Sequence, residues 1–216
     1  MVRKTEWQRA DARSRLAAAG RIALAAGGTV TPQLIADVSE QAGIHPQSFR
    51  ALFATDDEFL DAVQERLAEE CAERLRAGLG GLAGLDDEQL LGSAAVALAQ
   101  ARPIDRGAVI LRAERRLRAL RSPNAAESLL AAERRHLETL SAVVIELIDE
   151  LDRDPSWPPA LAARLILESY ERSFEGWVFA GHDESDFDTS SYVTRTLPTL
   201  LARMTTPRGH RAVAVA

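Results

Sequence analysis

One cysteine in 216 residues cannot close a disulfide within the chain, so no covalent staple supports the fold and a reducing compartment, the cytoplasm, is the default. No positively charged start runs into an apolar stretch of signal-peptide length. The most apolar early segment, Leu16 to Ala26, is broken by Arg21 and is half as long as a bilayer requires, so no membrane partner is expected. Alternating β-branched runs are missing, which excludes a sheet-based architecture. Positive charge is also in short supply, with a net charge of −6 that argues at first against nucleic acid. Glu133-Arg134-Arg135-His136 has the Glu-x-x-His spacing of di-iron bundles, but no second copy exists, so neither a metal nor a cofactor is expected. Cys71 lies among Glu69, Glu70 and Glu73, which disfavour a thiolate nucleophile.

What is present is helical punctuation, and 46% hydrophobic residues are enough for a sizeable core. Thr31-Pro32 is a start signal, followed by an apolar stripe of Leu34, Ile35 and Val38. Gly43 supplies a positive φ for a turn, and Phe49, Leu52 and Phe53 then repeat at helical spacing. That is a helix-turn-helix. It leaves Gln47, Ser48, Arg50 and Ala51 facing outward, an amide, a hydroxyl, a guanidinium and a methyl suited to base edges and phosphates in a major groove. Charge divides accordingly. Residues 1–55 carry seven basic and four acidic groups, a balance of +3, and the remainder carries −9. Arg3, Lys4, Arg9, Arg13 and Arg15 form a basic arm beside the motif, and His45 is expected to act as a cap or a phosphate contact.

Residues 12–60 resemble the DNA-binding domain of the TetR family of bacterial transcriptional regulators. The resemblance rests on Val38, Ala42-Gly43-Ile44, Phe53 and Phe59-Leu60, with Ile22 and Leu24 ahead of Gly27-Gly28 in the place of the family's first helix and its glycine. Three positions depart from the pattern: Arg50 stands where the family usually has Tyr, Leu52 where it often has His, and Asp56 where it very often has a phosphate-contacting Lys. The resemblance implies a homodimer that binds a double-stranded DNA operator and is released by an unknown small-molecule effector. It also implies DNA contacts from Arg3, Lys4, Arg9, Thr31, His45, Gln47, Ser48, Arg50 and Ala51.

Beyond the motif the chain reads as all-α. Thr55-Asp56-Asp57-Glu58 is a capping box that opens a helix ending in Gly78-Leu79-Gly80-Gly81. That glycine run loosely fits a dinucleotide fingerprint, yet it follows a helix rather than a strand and reads better as a loop. Asp86-Asp87-Glu88 starts the next helix, Pro103 opens another to about Arg121, and a long one after Ser122-Pro123-Asn124 ends near Leu151 with Leu137, Leu140, Val144 and Leu147 on one stripe. A helix through Leu161, Leu165, Tyr170, Phe174 and Trp177 follows Trp157-Pro158-Pro159, and a last one spans about Tyr192 to Met204 with a kink at Pro198.

Nine helices, three short at the start and two long at the end, match the family's arrangement. The expected architecture is a three-helix head at 1–55 on a helical ligand-binding and dimerisation body at 56–205, with a frayed tail from 206 to 216. The last two helices would form a four-helix dimer seam. Trp157, Tyr170, Phe174 and Trp177 are the candidate cavity lining, with solid core as the competing reading. The functional expectation is a transcriptional regulator, a repressor rather than an enzyme. A helical-bundle enzyme or carrier with a motif that no longer reads DNA, and a protein-interaction adaptor, are the other classes considered.

Overall fold

The computed structural model describes residues 2–26, 29–79 and 87–208. Among these, nine α-helices follow one another: α1 (Val2–Ala25), α2 (Pro32–Gln41), α3 (Pro46–Leu52), α4 (Asp56–Leu79), α5 (Asp87–Ala101), α6 (Arg106–Ala119), α7 (Pro123–Glu150), α8 (Pro159–Phe179) and α9 (Leu197–Met204). A 3-10 turn at Glu184–Thr189 and a π turn at Tyr192–Thr196 lie between α8 and α9. The all-α expectation holds, and the first three helices form the expected helix-turn-helix head. Gly27, Gly28, residues 80–86 and the tail beyond Arg208 lie outside the described residues, so the expectations placed there have no structural counterpart.

The residues group into two compact units, 1–69 with 105–136 and 70–104 with 137–216. In the first, α1 packs on α2, α3 and α6. Its core collects Leu16, Leu24, Leu34, Val38, Leu60, Val63 and Leu111 around Phe49, Phe53 and Phe59, whose ring centroids are 5.1–5.4 Å apart in tilted or edge-on contacts. Such rings contribute packing beyond their buried area. α1 has 24 residues and is therefore long, not short. Gly20 lies inside it, where a Cβ would come within 2.3 Å of Phe59 Cζ. Close helix packing thus explains this mid-helix glycine. In the second unit α5 packs on α9, and α8 on α9 and the 3-10 turn. Its core includes Leu75, Leu98, Leu140, Leu147, Ile166 and Tyr170, all essentially inaccessible.

Several element boundaries differ from the sequence reading. α6 starts at Arg106 rather than Pro103, because Asp105 is its cap and accepts a hydrogen bond from the Ala108 amide at 2.8 Å. The last helix is shorter than expected. Pro198 has no N–H, and the chain ahead of it widens into the π turn, where the Leu197 amide donates to the Tyr192 carbonyl. Thr205–Pro207 is paired rather than frayed: it forms an antiparallel ladder (β2) with Arg153–Pro155 (β1), in register Arg153 with Pro207. Buried Arg153 seals the pair by donating from Nε to Thr205 Oγ1 at 2.7 Å. Three residues are too few for a periodic signal, so the sequence held no sign of this ladder.

Candidate nucleic-acid interface and cavity

The outward face of α3 is built by its two ends. Thr31 caps α2 by accepting from the Leu34 amide at 3.1 Å, and His45 caps α3 through Nδ1, which accepts from the Gln47 amide at 3.3 Å. Gly43 makes the turn between them at φ 64°. Phe49, fully buried, pins α3 to the core, and Leu52 is half-buried. Gln47, Ser48, Arg50 and Ala51 are all exposed on the opposite side. The structure thus brings together four of the expected DNA-contact residues on one short helix.

Arg50 is engaged. Its Nη2 lies 2.9 Å from Asp56 Oδ1, and its guanidinium sits 5.5 Å from the Phe49 ring centroid. Asp56 also meets Arg118 at 3.7 Å, and Arg118 reaches Asp57 at 3.3 Å. The acidic start of α4 is therefore neutralised by two arginines in addition to the helix dipole. Two of the departures seen in sequence, Arg50 and Asp56, answer one another.

The basic arm does something the sequence reading missed. Arg9 Nη2 donates to the Ala51 carbonyl at 2.8 Å, Arg13 donates to the Leu52 carbonyl, and Arg15 Nη1 donates to the Ala42 carbonyl at 2.9 Å. Arg13 also lies over the Phe53 ring, 4.3 Å from its centroid. The last carbonyls of a helix have no partner within the helix, and a cation there also favours the negative end of the dipole. Three arginines of α1 thus cap the C-terminal ends of α2 and α3. A signal existed: α3 ends at Phe53 with no glycine to close it, so its carbonyls needed donors from elsewhere. The side chains of Arg3 and Lys4 lie outside the described residues.

In the second unit, a cavity of about 100 Å³ opens between the end of α5 (Ala99, Gln100, Arg102), α8 (Tyr170, Phe174) and the 3-10 turn (Glu184, Ser185, Phe187, Asp188). Phe187 centres an aromatic cluster, 5.3 Å from Tyr170, 5.2 Å from Phe174 and 5.9 Å from Trp177. Tyr170 and Phe174 line the cavity. Trp177 stands behind Phe187, stacked on His182 at 4.1 Å, with Nε1 donating to the Asp183 carbonyl at 2.7 Å. Trp157 is 51% exposed in the link before α8 and does not line it. Burial pushes the Tyr170 phenol far above its usual range, so the hydroxyl stays neutral.

Solved structures match this arrangement over most of their length. A protein described as a TetR-family transcriptional regulator from Mesorhizobium loti MAFF303099 superposes with a TM-score of 0.63 at 14% identity, covering 92% of this chain and 98% of its own. The chain has the TetR-regulator fold. A second protein so described, from Rhodococcus sp., gives 0.58 at 18% identity over 89% of this chain and 100% of its own. A transcriptional regulator from Rhodococcus sp. Rha1 gives 0.50 at 21% identity over 89% and 95%. No protein-family model and no curated protein matches the sequence. Within the TetR fold, α1–α3 of this chain are the helix-turn-helix head, and α4 continues from it.

Proposed function

We propose that this protein is a DNA-binding transcriptional regulator, a repressor released from its operator by a small molecule, and not an enzyme. The observation that carries the reading is the exposed face of α3, with Gln47, Ser48, Arg50 and Ala51 outward and Phe49 locked into the core. A seven-residue helix cannot hold itself rigid, but this one is capped at both ends and anchored through its centre. Rigid presentation is what base readout requires. Gln47 and Ser48 contact bases in this reading, and Arg50 exchanges Asp56 for a phosphate. Thr31, His45, Arg3 and Lys4 approach the backbone. Arg9, a contact in the sequence reading, instead supports the end of α3.

The protein acts in the cytoplasm as a homodimer, with one α3 per half-site and centres roughly 34–36 Å apart or a multiple of that. Residues 1–55 form the DNA-reading head and the chain from 56 to 205 the ligand-binding and dimerisation body. Tyr170 and Phe174 are the ligand-facing aromatics. Release would be a population shift between two head separations, which requires a ligand with different affinity for the two states.

Electrophoretic mobility of the DNA upstream of its own coding region, over a salt series, tests the reading. A retarded complex that weakens steeply with salt is expected. Site selection with Gln47→Ala then separates reading from mere adhesion: preference should change at particular base pairs, at about 1–3 kcal/mol each. An unchanged selection profile would remove Gln47 from base readout, and no retardation at any salt would remove the function.

A further inference from the structure

The last turn of α6 is aimed at the first turn of α4. Arg115 and Arg118 are three residues apart and so share one face of α6. Arg115 binds Asp61 and Gln64, whereas Arg118, further along α6, meets Asp56 at 3.7 Å and Asp57 at 3.3 Å, earlier along α4. The two helices therefore run antiparallel along this contact. The negative end of one dipole, carrying Arg118, meets the positive end of the other, carrying Asp56 and Asp57. Arg115 is 3% exposed and bonded to Asp61, Gln64 and Ser128, so it fixes which way this face of α6 turns. Arg118 is aimed by its neighbour.

The Asp56 carboxylate is divided between two arginines. Oδ1 lies 2.9 Å from Arg50 Nη2, and Oδ2 lies 3.7 Å from Arg118 Nη1. The two cations are held unequally. Arg118 bridges two carboxylates with its side chain 35% exposed, whereas the Arg50 side chain is 52% exposed, on the outward face of α3 beside Gln47, Ser48 and Ala51. A phosphate reaching that face competes for Arg50 first. If no second cation remained on Asp56, the departure of Arg50 would leave a carboxylate beside the phosphate, and like charges in contact oppose binding. Arg118 is that second cation.

We propose that Arg118 is a positioning residue of the nucleic-acid interface: by holding Asp56 and Asp57 it supplies the countercharge that lets Arg50 leave Asp56 for a phosphate. The role rests on the regulator reading above. Binding of the full-length protein to the duplex upstream of its own coding region and to an unrelated duplex tests it. Salt near 0.15 M keeps the comparison to near neighbours, because the Debye length there is about 8 Å. Arg118→Met should weaken both duplexes about fivefold, the size of one exposed ion pair, with unchanged helical circular dichroism. Arg118→Lys should stay within about twofold of the wild type, since contacts to two different carboxylates ask for charge rather than a parallel fork. Asp56→Asn with Asp57→Asn should tighten both duplexes, and in that background Arg118→Met should cost less than about twofold. The same fivefold loss there would make Arg118 itself the phosphate contact. Weaker binding by the Asn pair would make the cluster a structural clasp. Either result overturns the proposal, as does a Lys variant as weak as the Met one or an unchanged affinity of Arg118→Met. A wild type that binds no duplex sinks the regulator reading and this role together; a wild type that binds, matched by Arg118→Met, removes this role only.

Discussion

Arg13 and Arg50 show how residues of the same type serve different ends. Arg13 is part-buried, bonded to the Leu52 carbonyl and stacked over Phe53, so its charge is spent on the protein. Arg13→Met should therefore lower thermal stability by about 1–2 kcal/mol and leave the slope of log affinity against log salt unchanged. A shallower slope would mean that Arg13 reaches phosphate after all. Arg50 is exposed and paired with Asp56 at the start of α4, where DNA can compete for it. Asp56→Asn should release it. Duplex binding should tighten at low salt on specific and unspecific sequences alike, with a slope steeper by up to about one, since phosphates carry no sequence information. Loss of the first-turn carboxylate and its pairs should cost about 1 kcal/mol of stability. Weaker or unchanged binding by the folded variant would separate this helix start from the DNA backbone. The outward set on α3 was legible in sequence because periodicity assigns faces. The Arg50–Asp56 pair was not, because two residues six apart across a helix break meet only when the turn between them is built.

At the level of elements, caps were the readable part and cross-helix contacts were not. Thr31, His45, Gly43 and Thr55 act as local chemistry requires, with Thr55 Oγ1 accepting from the Glu58 amide at 3.1 Å, whereas the Glu58 carboxylate reaches one residue beyond the expected cap and accepts from the Ala54 amide at 2.8 Å. By contrast, nothing local marks Arg115 out among the arginines of α6, yet it is 3% exposed. Its guanidinium is bound by Asp61 and Gln64 of α4 and by Ser128 of α7 at 3.4 Å, and Ser128 in turn donates to Asp61 at 3.1–3.2 Å. Three helices meet on one cation. Removing it leaves Asp61 partly buried with the Ser128 hydroxyl and Arg135, at 3.6 Å, as its partners, so Arg115→Leu should destabilise the protein by about 3 kcal/mol, the low end for a broken buried pair. Adding Asp61→Leu should restore part of that loss, because an apolar replacement of both partners removes the stranded charge. A double mutant less stable than the single would show that the network, and not the isolated carboxylate, carries the cost.

For the whole molecule, the fold class followed from the absence of strand patterning and the motif, whereas assembly depends on surfaces that one chain leaves uncovered. α8 carries Leu161 at 39% and Phe179 at 76% exposure, with half-buried Leu165 between them on the same side. Spacings of four and fourteen residues put all three on one side of the helix, with Glu168, Arg172 and Glu175 between Leu165 and Phe179. Apolar side chains this exposed are normal singly, and two apolar ends flanking a charged middle are the candidate seam with a second copy. If the dimer forms there, Leu161→Glu with Phe179→Glu should produce a folded monomer by sedimentation at micromolar concentration. DNA binding should then change in two linked ways. A dimer docks its second head at an effective concentration set by the body, so the monomer should lose about 10²-fold or more in affinity. It also contacts about half the phosphates, so the slope of log affinity against log salt should fall by about half. The two effects test different things: affinity alone could drop through damage to the head, but a halved slope requires the loss of one head's worth of counterion release. A variant that stays dimeric would place the seam elsewhere, and a monomer retaining full affinity and slope would show that one head suffices.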